Sequence, residues 1–90
     1  SDLRTQMIRE LEQESERKKQ TQIFIETPYR NNQLLKNILD NCKDHTQLCI
    51  AADITAPGEY IKTKTIREWK KQLPDLHKRP AIFLLYARQD

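Results

Sequence analysis

The stretch Leu48-Cys49-Ile50-Ala51-Ala52-Asp53-Ile54 decides the fold, because it is apolar on both faces of a β-strand until Asp53. Strands of this kind are typical of the centre of a parallel sheet that helices cover on both sides. Residues 22–27 form an earlier strand that Pro28 ends, and an apolar helical stripe lies between the two strands. Two apolar strands joined by one helix predict a parallel, right-handed βαβ unit.

The elements around this unit complete the predicted order. Apolar residues at helical spacing predict a first helix after Asp2, and the wholly polar residues 12–20 are expected to form its solvated end. Residues 59–65 alternate as a half-exposed edge strand does, and residues 81–86 form a last buried strand. Residues 1–90 are therefore predicted to form one α/β domain. Its mixed, mainly parallel sheet of about four strands is flanked by helices in the order α-β-α-β-β-α-β.

A capping box marks the start of the last helix. In Thr65-Ile66-Arg67-Glu68, the threonine oxygen can accept the amide of Glu68 while the glutamate reaches back to the Thr65 amide. In the short helix that follows, Ile66, Trp69 and Leu73 are expected to face the core.

Composition excludes several classes of function. A chain of 90 residues with one glycine lacks the glycine-rich loops that bind nucleotide phosphates. No apolar run approaches the roughly 20 residues that span a bilayer, and no leader opens the chain, so we expect a cytoplasmic protein without a membrane partner. The net charge of +3 selects no partner by itself. Because the chain begins at Ser1 without an initiator methionine, we expect it to be a piece of a longer protein.

The cysteines and histidines indicate no catalytic or metal site. Cys42 and Cys49 fall at a helix end and inside a buried strand, where free thiols are favoured over a disulfide. His45 and His77 fall in loops and are interpreted as surface residues. No nucleophile, base and orienting group are spaced so that they would meet, and hence no catalytic residue and no metal ligand is predicted.

Two charged residues follow predicted strands and are candidates for ligand binding. Asp53 ends the apolar strand, where open α/β sheets bind ligands, or else it caps the turn that follows. Arg30, after the first strand, precedes a helix whose amides can receive an anion with it. The alternative is that Arg30 pairs with Glu26 or Asp53, while Pro28 fixes the turn and Tyr29 packs.

Basic residues recur in the second half of the chain. They would contact phosphates if they lay on one face of the fold, whereas a solvated edge strand and helix explain them equally well. These residues are Lys62, Lys64, Arg67, Lys70, Lys71, Lys78 and Arg79.

Several blocks, in order, resemble the C-terminal domain of the tetrapyrrole (corrin/porphyrin) methylase superfamily. Ile23-Phe-Ile-Glu-Thr-Pro-Tyr-Arg30 is similar to the Phe-Tyr-Glu-Ser-Pro-His-Arg block of the branch that 2'-O-methylates ribose in bacterial small-subunit ribosomal RNA. Leu48-Cys-Ile-Ala-Ala-Asp-Ile-Thr55 and Lys64-Thr-Ile-Arg-Glu-Trp69 correspond in position to that branch's second strand and its strand-to-helix segment. Lys78-Arg-Pro-Ala-Ile-Phe-Leu-Leu85 resembles the closing strand, so the resemblance extends over about residues 3–86.

The resemblance implies half of a cofactor site. In this superfamily, S-adenosylmethionine lies in a cleft between two α/β domains, and the C-terminal domain supplies part of the wall, largely through backbone groups. Tyr29 and Arg30 become candidate contacts to the acceptor substrate. The implied cofactor-binding residues are Glu26, Thr27, Asp53, Ile54, Thr55, Pro80 and Ala81.

Two hypotheses for function follow. The first is the C-terminal domain of a two-domain S-adenosylmethionine-dependent methyltransferase, inactive without its N-terminal domain and forming a homodimer. Its acceptor is open between ribosomal RNA, as part of the small ribosomal subunit, and a tetrapyrrole. The second hypothesis is a stand-alone interaction module that binds RNA or a protein through a basic edge.

Overall fold

The helices and strands follow one another in the predicted order α-β-α-β-β-α-β. The structure, a computed structural model, describes residues 2–88. Within these residues, no helix is both long enough and apolar enough to span a bilayer. The helices are α1 (Asp2–Lys18), α2 (Asn31–Asn41) and α3 (Ile66–Lys71), with one 3-10 turn at Pro28–Arg30. The strands are β1 (Gln22–Ile25), β2 (Gln47–Ala52), β3 (Tyr60–Thr65) and β4 (Ala81–Tyr86).

The four strands form one sheet in the order β1-β4-β2-β3, and every neighbouring pair is antiparallel. The prediction of a mixed, mainly parallel sheet is therefore wrong. β1 and β2 do run in the same direction, since each is antiparallel to β4, but β4 lies between them and pairs with both. An apolar strand-helix-strand pattern indicates the relative direction of two strands, and it does not show whether a later strand inserts between them.

One face of the sheet carries the core. Register places Phe24, Phe83 and Ile50 side by side across β1, β4 and β2, and all three side chains are buried. The apolar residues of the helices pack on this same face, which gives the domain two layers. The expected helical cover on both sides of β2 is therefore wrong for residues 2–88. The helical members of the core are Ile8, Leu34, Leu35, Ile38, Leu39, Ile66 and Trp69.

The opposite side of the sheet, which we call the open face, bears no helix of the described chain. No charged side chain stands on it, although 32% of the whole chain is charged. Ile23, Ile25 and Ile61 are exposed there. The all-apolar pattern of β2 arises because Cys49 and Ala51 point to this face. Its positions are Ile23, Ile25, Gln47, Cys49, Ala51, Ile61, Thr63, Thr65, Ile82, Leu84 and Tyr86.

The capping box forms as predicted. The Thr65 hydroxyl accepts the backbone N–H of Glu68, and the Glu68 carboxylate accepts the Thr65 N–H at 2.9 Å. α3 then buries Trp69, whose indole N–H donates to the Leu48 carbonyl at 2.8 Å. Leu73, in contrast, is 59% exposed, because the helix ends at Lys71 and the extended backbone at Gln72 turns away. The next loop supplies Leu76 to the core in its place.

The second half of α1 is less exposed than its polar sequence indicates. Glu12 and Ser15 are buried. The Glu12 carboxylate accepts the Thr46 hydroxyl at 2.6 Å and the Lys43 N–H at 2.8 Å, and the Ser15 hydroxyl accepts the Ala87 N–H. The expectation that all of residues 12–20 form a solvated surface is therefore wrong at these two positions, which fasten α1 to the rest of the domain.

Candidate functional site

A cavity of about 410 Å³ opens where β1 and β2 end and β4 begins. This volume lies within the range of small-molecule sites, roughly 300–1,000 Å³. It continues the open face, because three of its residues also stand on that face. The lining residues are Ile25, Glu26, Pro28, Ala51, Ile54, Pro80, Ala81 and Ile82.

The register of the sheet builds the floor of the cavity. Ile25 and Ala51 each pair with Ile82, so the three side chains form one apolar row across β1, β4 and β2. Glu26 follows this row on one side, and Ile54, which is 46% exposed, follows it on the other. An apolar floor with a carboxylate at its margin suits a flat, partly polar ligand.

Glu26 is held in its ionised form at the margin of the cavity. The Thr27 backbone N–H donates to Glu26 Oε1 at 2.9 Å, and Arg4 of α1 donates to the other carboxylate oxygen. The Thr27 N–H, followed by Arg4, lowers the pKa of Glu26. The direct ion-pair partner of Glu26 is thus Arg4, and that of Asp53 is Arg79, whereas Arg30 acts on Glu26 only as a more distant charge that also lowers its pKa.

Asp53 lies beside the cavity but does not line it. Its carboxylate accepts the Arg79 Nε–H at 2.7 Å, and the same guanidinium donates to the Gly58 carbonyl at 3.0 Å. The Asp53 backbone is left-handed, with φ of 51°, and its carbonyl accepts the Ala56 N–H. These contacts hold the loop after β2 against the start of β4. The carboxylate accepts from Arg79 of the next segment, whereas the contact within the turn is made by the backbone carbonyl of Asp53.

The two predicted threonines also stay outside the cavity lining. Thr27 is exposed, and its N–H donates to Glu26. Thr55 is exposed, has a left-handed φ of 67°, and donates its N–H to the Glu59 carboxylate at 2.8 Å. Of the seven predicted cofactor-binding residues, the structure therefore brings four together on the cavity wall. These are Glu26, Ile54, Pro80 and Ala81.

The candidate substrate contacts project from the turn next to the cavity. Tyr29 is 69% exposed, and its ring meets the His77 ring edge-on at 5.9 Å between centroids. Arg30 is also exposed and forms no ion pair within residues 2–88.

The basic cluster is divided among separate local contacts. Lys64 lies over the Trp69 ring at 4.7 Å, and Lys62 lies over the Tyr60 ring. Lys70 pairs with Asp44 at 3.1 Å. Arg79 pairs with Asp53.

The cysteines and histidines are the remaining chemically reactive side chains. Both cysteines are free; Cys42 is buried as predicted, whereas Cys49 is half-buried on the open face. Burial, reinforced by the neighbouring Glu12 carboxylate, raises the pKa of the Cys42 thiol to about 12. Among the described residues, no three His, Cys, Asp or Glu side chains converge as metal ligands. His45 is exposed, as predicted.

Sequence reasoning missed half of the cavity lining. Ile25, Pro28, Ala51 and Ile82 were not predicted, because their meeting depends on β4 entering between β1 and β2. The pattern of β2, which is apolar on both faces, could have indicated Ala51, because in a sheet with one open face the Ala51 side chain points to that face.

Comparison with solved structures finds chains of similar fold. The fold is similar to that in the crystal structure of the methyltransferase CobJ, with a TM-score of 0.62 and 13% sequence identity over 96% of this chain. The chain spans 35% of the length of that protein. No protein-family model matches the sequence, and no curated protein matches it significantly. At this identity, the likeness shows a shared fold.

Proposed function

We propose that this chain is the C-terminal, cofactor-cleft-forming domain of a two-domain S-adenosylmethionine-dependent methyltransferase. The observation that carries the proposal is the cavity where Glu26, Ile54, Pro80 and Ala81 meet. The resemblance in sequence implies these same four residues as cofactor contacts. The fold shared with a methyltransferase supports the same function.

The cavity fits the nucleoside end of such a cofactor. Ile25, Ala51 and Ile82 offer an uncharged row against which a purine ring would lie. The ionised carboxylate of Glu26 offers acceptor oxygens for hydroxyl donors at the margin. When bound, S-adenosylmethionine supplies the methyl group on its sulfonium.

The domain would contribute positioning rather than acid-base chemistry. An open cavity with one wall binds weakly, and a second domain would close it and exclude water. Holding the methyl donor and acceptor in line is itself a large source of rate acceleration. The acceptor, ribosomal RNA or a tetrapyrrole, would be bound mainly by the domain that these residues lack. The 35% span of the CobJ chain leaves room for such a domain in that protein.

A matched pair of variants tests the cofactor site. Ile54 borders the cavity and Ile23 lies on the open face outside it, and both are exposed. We expect S-adenosylhomocysteine to bind the chain with Kd of about 1 mM, equivalent to about −4 kcal/mol. Ile54→Trp, which fills the cavity margin, should weaken this binding at least about tenfold, a loss of about 1.4 kcal/mol. Ile23→Trp should leave it unchanged.

Isothermal titration calorimetry measures the affinity of the unmodified chain and of the two tryptophan variants for S-adenosylhomocysteine. Equal affinity of Ile54→Trp and the unmodified chain would show that the ligand binds elsewhere, and would contradict the proposed site. Binding that both tryptophans weaken equally would place the ligand on the open face at large.

A further inference from the structure

The loop between β2 and β3 carries one side of the cavity. This loop spans residues 53–59, and Ile54 is its one member that lines the cavity. Another part of the lining consists of Pro80 and Ala81, where β4 begins. The position of Ile54 relative to these two residues therefore depends on how the loop is held against β4.

The Arg79 side chain joins the loop to the start of β4. Its Nε–H donates to the Asp53 carboxylate at 2.7 Å, and an Nη–H donates to the Gly58 carbonyl at 3.0 Å. The two acceptors stand near opposite ends of the loop. The guanidinium carbon also lies 5.7 Å from the ring centroid of Tyr60, the first residue of β3. We call this arrangement the Arg79 clamp and define it as Arg79, Asp53 and Gly58.

The backbone around Arg79 is itself held in place. Its carbonyl accepts the side-chain amide of Asn31, which is fully buried at the start of α2. Its N–H donates to the Leu76 carbonyl at 3.1 Å. The carbonyl of the next residue, Pro80, accepts the Asp53 N–H at 2.9 Å. The clamp is therefore anchored to α2 and to the sheet.

The loop has a strained backbone beside the cavity. Four non-glycine residues of the described chain have a left-handed φ, and two of them, Asp53 at 51° and Thr55 at 67°, flank Ile54. A third, Lys78 at 62°, precedes Arg79. A left-handed backbone is unfavourable for a β-branched residue such as threonine, and it persists only where the surrounding contacts impose it. Because the clamp supplies such contacts, weakening it should let the backbone around Ile54 relax.

We infer that Arg79 is a positioning residue for the ligand of the cavity and acts through Ile54. Arg79 does not line the cavity, and it is not among the seven residues that the family resemblance implies. This role rests on the proposed function, because the ligand whose affinity Arg79 controls is the proposed cofactor. A ligand that meets a wall already in place does not lose free energy to ordering the loop. Asp53 then contributes to binding through the clamp.

Two substitutions weaken the clamp from opposite sides. In Arg79→Lys the positive charge beside Asp53 remains, but an ammonium group lacks the planar fork with which arginine reaches two acceptors. Asp53→Asn removes the charge that Arg79 pairs with, and asparagine tolerates the left-handed backbone. In an NMR titration of the whole chain, each variant should bind S-adenosylhomocysteine about threefold to tenfold more weakly than the unmodified chain. The double variant should show little further loss, because residues that act through one contact are not additive.

Two controls separate positioning from stability. Glu12→Ala removes the buried acceptor of the Thr46 hydroxyl and the Lys43 N–H, and none of these residues lines the cavity. It should unfold at a lower urea concentration than the unmodified chain and bind with the same affinity. Arg67→Lys makes the same substitution at an exposed position of α3 and should change neither quantity. Trp69 fluorescence verifies that every variant is folded before titration.

Amide hydrogen exchange shows whether the loop itself responds. The Glu59 N–H donates to the Ala56 carbonyl, and the Ala56 N–H donates to the Asp53 carbonyl, both at 3.0 Å. Neither amide belongs to a residue of the cavity lining. In Arg79→Lys both amides should exchange faster than in the unmodified chain, and saturating S-adenosylhomocysteine should slow them again, because the ligand selects the loop position that the clamp otherwise imposes. Arg67→Lys should leave both amides unchanged.

The possible outcomes are distinguishable. Equal affinity of Arg79→Lys and the unmodified chain would overturn the role of Arg79 and leave the cofactor site standing. Equal weakening by Glu12→Ala would also overturn it, because the loss would then follow global stability. Additive losses in the double variant would assign Asp53 a direct contact with the ligand and overturn its action through the clamp. An unmodified chain that does not bind S-adenosylhomocysteine at all would refute the cofactor site, and the role of Arg79 with it.

Discussion

Replacing Glu12 should lower the free energy of unfolding, because Glu12 binds α1 to the rest of the domain. Its carboxylate accepts the Thr46 hydroxyl at 2.6 Å and the Lys43 N–H at 2.8 Å, and the glutamate is only 5% exposed. Glu12→Ala leaves the Thr46 hydroxyl without this acceptor at a fully buried position. An unsatisfied buried polar group costs about 1–3 kcal/mol, and the Lys43 N–H adds a smaller loss because that residue is exposed and water can reach it.

The expected total is a loss of about 2–3 kcal/mol in the free energy of unfolding, or about 10–20 °C in Tm for a domain of this size. Urea unfolding followed by Trp69 fluorescence measures it directly, since Trp69 is the only tryptophan and is fully buried. Glu10→Ala is the control, because Glu10 lies on the exposed side of the same helix and the gain in helix propensity is identical. A difference between the two variants below about 0.5 kcal/mol would refute the role assigned to Glu12.

Three further predictions concern other parts of the molecule. The Thr65 N–H and hydroxyl lower the pKa of Glu68 from its usual 4.5, so the capping box stabilises the fold above pH 4.5 and this contribution is lost as pH falls through the lower folded-state pKa. Urea unfolding below pH 4.5 should therefore show a shallower loss of stability in Glu68→Gln than in the unmodified chain, and equal slopes would contradict this. Asp53 has a left-handed φ of 51°, and its carboxylate pairs with Arg79. Asp53→Asn and Asp53→Ala both remove that negative charge, but the alanine variant should be less stable than the asparagine variant by about 1 kcal/mol, because asparagine tolerates the left-handed backbone better. Equal urea midpoints of the two variants would refute that reasoning. A thiol reagent at pH 8 should label the half-buried Cys49 in the native protein and Cys42, with its pKa of about 12, only in urea; mass spectrometry that finds Cys42 labelled first would contradict the burial assigned to it.

The local elements could be predicted from sequence because their signals are local. The β4 boundaries, the stripe of α2 and the capping box of α3 all lie where periodicity and capping indicate. Strand order could not be predicted in the same way. β4 inserts between β1 and β2 through contacts between residues far apart in sequence, such as Phe24 with Phe83. The burial of Leu73 was also not predictable from local periodicity. The helix α3 ends before Leu73 and leaves it exposed, and Leu76 is buried instead.

The candidate site was predictable in part for a similar reason. Glu26, Ile54, Pro80 and Ala81 were indicated by family resemblance, which carries positional information that composition lacks. Asp53 was indicated too, yet its carboxylate faces Arg79. The pairing of Arg4 with Glu26 could not be predicted from the sequence. The two residues are 22 positions apart, and the partner of Arg4 depends on where α1 packs.

The most direct test of the central claim is an amide NMR titration of the chain with S-adenosylhomocysteine. Affinity of about 4 kcal/mol gives half-saturation at about 1 mM, within reach of this measurement. If this domain holds a cofactor half-site, the shifts saturate and cluster at the amides of Glu26, Ile54 and Ala81, while the amides of His45 and of the exposed side of α1 do not shift. Saturation without shifts at the cavity amides, or no shifts at several times that concentration, would contradict a cofactor half-site in this domain.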